Sequence, residues 1–264
     1  MSNASDWLGG PFGRVLVVGS ALLLWEVAAR LGFLSPFFFS SPSEVGGVIR
    51  DWFWAGRIFG NVGITFLEAT IGFIIGTTIG VLLGFALAFL PRVAQVLEPF
   101  MAVLNAFPRL TLAPLFIVWF GFGIEPKILL VATFILFLCY LNTYNGLRQV
   151  PQELVDRARL WGATWTDLAR NIYLPSAMAW ILAGLRASVG FAIIGAVVGE
   201  YIGGDSGIGF LILQGQSRLR IREVFAGLAL LLAAAAAKAS GLRQIEGRVL
   251  RWRPRTNTNT TGSG

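Results

Sequence analysis

The sequence predicts an all-α polytopic membrane protein with six transmembrane helices, and three observations carry that reading. The chain of 264 residues is 55% hydrophobic and only 13% charged, with a mean hydropathy of +0.70, whereas soluble domains carry about a quarter charged residues. Its apolar residues are gathered into six long stretches, most of them near the ~20 residues a helix needs to cross a hydrocarbon core of roughly 30 Å. Most of the arginines lie in the polar stretches between them. A net charge of +7 and a pI near 10.5 therefore read as cationic loops facing anionic lipid. Nucleic acid is excluded, because no soluble basic module is present to hold it. One cysteine, Cys139, and no histidine rule out disulfides, Cys/His metal sites and histidine-dependent triads.

Residues 12–31 form the first span. The leading MSNASDWLGGPFGR lacks a signal followed by a small-residue cleavage site, so this span is expected to be retained as an anchor. Ser35-Pro36 and Ser41-Pro42 break the helix, and Ser43 with Glu44 offers an N-cap for a short external amphipathic segment through Val48, Trp52 and Phe53. Its tryptophans suit the headgroup zone. The second span, 61–90, carries Gly72, Gly76, Gly80 and Gly84 on one helical face. A stripe of this kind lets another helix approach closely, inside the subunit or at a dimer interface.

The third span, about 96–120, is interrupted by Pro108 and Pro114 and carries Asn105, Arg109 and Thr111. A broken helix frees backbone groups that must face protein or water, so this segment is expected to line a translocation path. The fourth span, 127–147, ends in Asn142-Thr143-Tyr144-Asn145. The fifth, 174–202, contains Arg186 and reaches Glu200 just before the glycine-rich run 203–209. The sixth, 224–241, is mostly Leu and Ala, with Lys238 near its end snorkelling. The basic tail of Arg243, Arg248, Arg251, Arg253 and Arg255 follows, and then TNTNTTGSG, a composition expected to remain disordered.

Between the fourth and fifth spans lies the polar stretch PQELVDRARLWGATWTDLARNIYLP, residues 151–175. Pro151 suits a first helical turn, and Glu153 and Asp156 place negative charge at the positive end of the helix dipole. Leu154, Ala158 and Trp161 fall on one apolar stripe, with Asp156, Arg157 and Arg159 on the polar side. Gly162 ends or bends that helix and Ala163 follows it. Thr164 or Thr166 then caps a second helix through Trp165 to Ile172. A helix, a glycine corner and a second helix make a shape that fits a groove on a partner, or one that lies on the lipid surface.

Six spans put both termini on the same side as this stretch. The stretch's side holds 11 of the Lys and Arg residues and the opposite side 7, Lys127 and the Arg218, Arg220, Arg222 group among them. The excess assigns the polar stretch and both termini to the cytoplasm.

The spacing Asp156-Arg157-Ala158, three residues, Gly162, nine residues, Ile172, one residue, Leu174-Pro175 resembles the EAA loop of ATP-binding-cassette importer permeases. Asp156 stands where that pattern has Glu and Arg157 where it has Ala. Phe107-Pro108, the run from Ala113 to Gly123, Gly184-Leu185-Arg186, Gly199-Glu200 with Gly207-Ile208-Gly209, and Arg251-Trp252 are similar to the nitrate, sulfonate, taurine and bicarbonate branch. This resemblance implies a type I importer permease with the MetI-like fold, working in a bacterial inner membrane. It divides the chain into an N-terminal region 1–60, a permease core 61–243 with coupling helices at 151–173, and a tail 244–264. Partners implied are ATPase subunits, an extracytoplasmic solute-binding protein and a second permease copy.

ATP and Mg belong to the ATPase, since this chain has no G-x4-G-K-[S/T] loop and its only lysines are Lys127 and Lys238. No cofactor, metal or catalytic residue is expected here. The coupling residues implied are Glu153, Asp156, Arg157, Ala158, Arg159, Gly162, Ala163, Ile172, Leu174 and Pro175.

Asn105, Pro108, Arg109, Thr111, Arg186 and Glu200 are the pathway candidates. Arg186 either attracts an anion or pairs with Glu98 or Glu68. Glu200 gates, meets the binding protein, or is a solvated helix end. The cargo implied is a small anion such as a sulfonate, taurine, nitrate or bicarbonate, with a pyrimidine or vitamin precursor as the alternative. An ion-coupled secondary transporter using Glu68, Glu98 or Glu200 is a different class, and it gives the polar stretch no purpose.

Overall fold

The computed structural model describes residues 11–35 and 37–249. Expectations for the side chains of Arg14, Lys238, Arg243 and Arg248, and for residues 250–264 with Arg251-Trp252 and TNTNTTGSG, lie outside what is described. Helices α1 (Pro11–Arg30), α2 (Pro42–Trp54), α3 (Arg57–Phe89), α4 (Pro91–Ala106), α5 (Leu112–Phe120) and α6 (Glu125–Arg148) lead to the polar stretch. There α7 (Gln152–Leu160) and α8 (Trp165–Leu168) are followed by α9 (Leu174–Gly203), α10 (Ile208–Ser217) and α11 (Ile221–Val249). Among the described residues there is no strand.

Each of the six expected spans coincides with helix, the third as two helices separated by the extended pair Phe107-Pro108. By length and apolarity, the described residues contain three helices able to cross a membrane, namely α3, α6 and the continuous unit Trp165–Gly203. They contain up to four if α4 and α5, bent by 78°, count as one span.

The centre of the molecule is α3 against α6, with α9 laid on both. Of its two possible places, the glycine stripe takes the one inside the subunit. A Cβ on Gly76 would sit 2.6 Å from the Ala132 carbonyl oxygen, one on Gly80 2.9 Å from Cys139 Cβ, and one on Gly84 2.6 Å from Thr143 Cβ. The α3 backbone thus rests directly on α6. Ala69, Val131, Ile135, Cys139, Ala192 and Ala196 fill the seam among the three helices. Lipid tails are as apolar as leucine, so this seam is held by dispersion contact that only small residues permit.

The N-terminal part is tied on differently. Ser41, two residues before the expected Ser43, is the N-cap of α2, accepting from the Glu44 N–H at 3.3 Å, with Pro42 opening the helix. Ser43 points elsewhere, and its N–H and hydroxyl donate to Glu26 of α1 at 2.9 and 2.8 Å. Trp52 is buried with Val45 against Leu211 and Ala226, and Trp25 meets Phe225 at 5.5 Å. Helix α2 therefore packs over the α10–α11 hairpin.

Gly76→Ala is expected to lower stability by about 1–3 kcal/mol, the usual cost of overpacking, read as a lower midpoint of thermal unfolding in detergent. Gly63→Ala, with nothing within 4 Å of the added Cβ, is expected not to lower it. Equal midpoints for wild type and Gly76→Ala would remove the stripe from the packing account.

Candidate functional site

Residues 151–175 fold into an elbow with a small core of its own. Val155 and Leu168 are buried with Val150, and Ala158, Ala163, Ile172 and Tyr173 pack against them. The expected stripe of Leu154, Ala158 and Trp161 is thus displaced by one residue: Val155 and Ala158 face inward, while Leu154 and Trp161 are exposed. The cause is the adjacent apolar pair Leu154-Val155, of which only one member can face the core of a nine-residue helix.

Pro151 precedes α7 at the capping position with extended backbone. Gly162 adopts φ +82°. Its N–H donates to the Arg159 carbonyl at 2.9 Å and the Ala163 N–H to Ala158 at 3.0 Å. This is a Schellman closure, whose left-handed position suits glycine. Thr164 then starts α8 with a reciprocal capping box, its N–H donating to Asp167 Oδ2 at 2.9 Å while Asp167 N–H donates back at 3.4 Å.

The second helix does not stop at Ile172. A π-helical turn, Ala169–Tyr173, carries it into α9. Pro175 has no N–H to complete the ordinary α-helical bond, and the widened turn sits just before it. The elbow joins α3 through Phe89, whose ring lies 4.8 Å from Trp165 and 4.9 Å from Tyr173, both edge to face.

At the elbow's tip, Leu160 and Trp161 are 85% and 89% exposed. Glu153, Asp156, Arg157 and Arg159 lie beside them toward solvent, as do Leu174 and Pro175 further on.

The broken third span brings four candidates together. Phe107 is extended, as the residue before a proline must be, and Thr111 Oγ1 donates to the Pro108 carbonyl at 2.6 Å. Arg109 Nη2 donates to the Asn105 backbone oxygen at 3.1 Å and to Asn105 Oδ1 at 2.5 Å. Its guanidinium lies 5.0 Å from the Phe137 ring and 5.8 Å from Phe134, halfway along α6. Pro114 falls in the first turn of α5, where it breaks nothing, and Pro99 inside α4 is a further interruption of the same span.

Arg186 is not in this group. It lies on an exposed face of α9, while Glu68 pairs with Lys127 and Glu98 lies 3.8 Å from Arg148.

Glu200 is not a solvated helix end. It is fully buried, as is Glu68, and Lys127, expected on the outer surface, is 2% exposed. The Glu200 carboxylate accepts from Thr65 Oγ1 at 2.6 Å and from the Gly209 N–H at 2.7 Å. The Gly207 N–H donates to Asn61 Oδ1 at 2.8 Å and the Ile208 N–H to Thr65 Oγ1 at 3.0 Å. The first three N–H groups at the start of α10, which no helix can satisfy internally, are therefore each met by a side chain from α3 or α9.

Lys127 Nζ stands 3.2 Å from Glu68 Oε1, an ion pair whose geometry is not that of a hydrogen bond, and 3.6 Å from Asp205. Asp205, in the loop, is held below the usual carboxylate range by the Ser206 hydroxyl donating to it at 2.9 Å. Sequence reasoning does not single out Asn61, Thr65 and Lys127 as partners of Glu200 or Glu68. The available signal is the helical spacing of Asn61, Thr65 and Glu68, which continues into the glycine stripe at Gly72.

Lys127→Met leaves Glu68 buried without a counter-charge and is expected to destabilise by roughly 3–5 kcal/mol, whereas Glu68→Leu/Lys127→Met together should recover most of it. Thermal unfolding of the three proteins decides this. A double variant as unstable as Lys127→Met would show that the pair is not the source of the loss.

Three comparisons bear on these sites. Residues 76–242 match the family model described as binding-protein-dependent transport system inner membrane component. The chain is 32% identical over 247 residues to a Bacillus subtilis protein named as an aliphatic sulfonates transport permease, covering 94% of this chain and 88% of the relative. It is 29% identical to the formylaminopyrimidine transport permease protein of Halalkalibacterium halodurans, covering 88% of this chain and 92% of that one. Among solved structures, an inward-facing MetNI methionine ABC transporter superposes with a TM-score of 0.58 at 19% identity, over 75% of this chain and 96% of the other.

Proposed function

For a chain that belongs to the family of binding-protein-dependent transport system inner membrane components, we propose that the elbow 151–175 is where ATP hydrolysis on a separate subunit is turned into movement of the spans. The chain is the membrane permease of an ATP-driven importer with the MetI-like fold. The observation that carries the elbow assignment is its tip. A Schellman corner and a capping box hold Leu160 and Trp161 almost wholly in solvent, although apolar side chains of that size gain by being covered.

An apolar knuckle on a short rigid helix suits a groove on a soluble partner. Glu153, Asp156, Arg157 and Arg159 surround it for charge matching, and Ala158, Gly162, Ala163 and Ile172 shape it from behind. Leu174 and Pro175 join it to α9. The implied assembly is two permease copies, two ATPase subunits carrying ATP and Mg, and an extracytoplasmic solute-binding protein. The setting is a bacterial cell membrane, with the elbow and both termini in the cytoplasm. Within the chain, residues 1–60 form the N-terminal region, 61–243 the permease core and 244–264 the tail.

The solute path runs past the break at Asn105, Pro108, Arg109 and Thr111. Among the described residues, Arg109 has no carboxylate within ion-pair distance. A cation of this kind inside a membrane favours an anionic cargo, in line with the sulfonate relative rather than the pyrimidine one. Arg186 extends that path along α9, and Glu200 serves it indirectly by holding the start of α10.

Trp161→Asp is expected to abolish co-purification of the ATPase subunit and to cut ATP-driven uptake at least tenfold, roughly the loss of a buried hot-spot aromatic, with the folded spans intact. Undiminished ATPase association would reject the elbow as the coupling site. Uptake that survives ATP depletion and collapses with an ionophore would replace the importer by an ion-coupled carrier.

A further inference from the structure

The end of the bundle opposite the elbow carries a second Schellman corner, and it is built against the usual rule. Helix α10 ends at Ser217. The Arg220 N–H donates to the Gly215 carbonyl at 2.8 Å and the Leu219 N–H to Gln216 at 3.0 Å. The residue in the left-handed position is Leu219, with φ +54°, the one described non-glycine residue with positive φ. The same position in the elbow is Gly162. A leucine here carries a steric strain that glycine avoids, and its side chain is 69% exposed.

The corner is also held firmly. Arg57 Nη2 donates to Gln214 at 2.7 Å, Tyr201 bonds to Gln216, and the start of α10 is fastened by Asn61, Thr65 and Glu200. Arg218, Arg220 and Arg222 surround the leucine, of which Arg220 is engaged by Glu223 at 2.9 Å. Beside them, between α2 and the start of α11, opens a cavity of about 370 Å³. Val48 and Trp52 line it together with Glu44, Asp51, Arg222 and Glu223. A strained apolar point ringed by arginines, next to a cleft of mixed charge, is the surface of a protein interface. An anionic bilayer rewards a single sign of charge, and the carboxylates in the cleft would oppose it.

We propose that the Leu219 corner, Arg218, Arg222 and the adjoining cleft form the docking surface for the importer's soluble solute-binding protein. Leu219 fills an apolar depression and the two arginines meet acidic side chains rimming it. This rests on the importer reading above and adds to it the place and chemistry of a contact. Electrostatic matching of this kind mainly sets encounter and register, while a buried apolar point supplies a hot spot.

The test uses the whole permease–ATPase complex in nanodiscs made with and without phosphatidylglycerol, titrated with the importer's own binding protein. Its readout is ATP hydrolysis relative to each variant's own basal rate. Arg218→Glu/Arg222→Glu and Leu219→Asp are each expected to raise the half-maximal concentration of binding protein by about tenfold, equally in both lipids. Leu219→Gly is expected to raise that concentration too, while raising the thermal midpoint by relieving the backbone. The last pair of effects separates a docking residue from a structural one.

Wild-type titration curves for all three variants overturn the proposal. A shift confined to phosphatidylglycerol discs assigns the corner to lipid and overturns it as well. A wild-type complex that assembles with its ATPase but is not stimulated by binding protein overturns the docking surface. Failure of the ATPase to assemble at all strikes the importer reading, and this inference falls with it.

Discussion

The contact on which the rest of the molecule depends is the close approach of α3 to α6. In water two apolar helices associate because water is expelled. In a bilayer that reward is missing, and contact must come from surfaces that fit closely enough for dispersion to exceed what lipid tails offer. Gly72, Gly76, Gly80 and Gly84 remove four side chains from that surface, so α6 backbone and Cβ atoms occupy the space they leave. Helix α9 then closes the seam with Ala192 and Ala196. A three-helix core of this kind is thin in apolar volume and strict in register. Sliding α3 by a residue would bring Phe73 or Thr77 where there is room only for hydrogen.

The same face of α3 changes character toward its start. Above the glycines it carries Glu68, Thr65 and Asn61, and these turn a packing surface into a polar anchorage for α9, the Lys127 end of α6 and the start of α10. Buried charge is costly and the ion pair adds little net stability by itself. What the arrangement secures is geometry: three backbone N–H groups that would be orphaned in an apolar setting each have a defined partner. The end of the bundle therefore has one arrangement in which its polar atoms are satisfied.

Much of this is legible in the residues, and the failures have physical causes. Six apolar stretches, the proline break at Pro108 and the glycine corner at Gly162 are local signals, because each depends on a neighbour a few positions away. Which of Leu154 and Val155 faces the elbow core is not local, since either choice leaves an equally amphipathic helix. The decision falls to Leu168, Ile172 and Tyr173 on the second arm of the elbow, beyond the Gly162 corner. Ser43 loses the capping position to Ser41 because Glu26, on another helix, engages it. Lys127 with Glu68, and Thr65 with Glu200, bring together helices distant in sequence, so a charge beside a span boundary reads as surface. The π turn has a local cause in Pro175, yet a proline in a first turn ordinarily signals a helix start, and here it marks a helix that continues.

That continuity has a mechanical consequence. From Trp165 to Gly203 the chain is one helical unit of 39 residues, about 58 Å long at 1.5 Å per residue. It is seated at one end on Phe89 and fastened at the other by Glu200. Along that length there is no loop, and its one irregularity is the π turn at Ala169–Tyr173. The helix is thus a direct physical link from the elbow at Trp165 to Glu200, and through Gly209 to the start of α10.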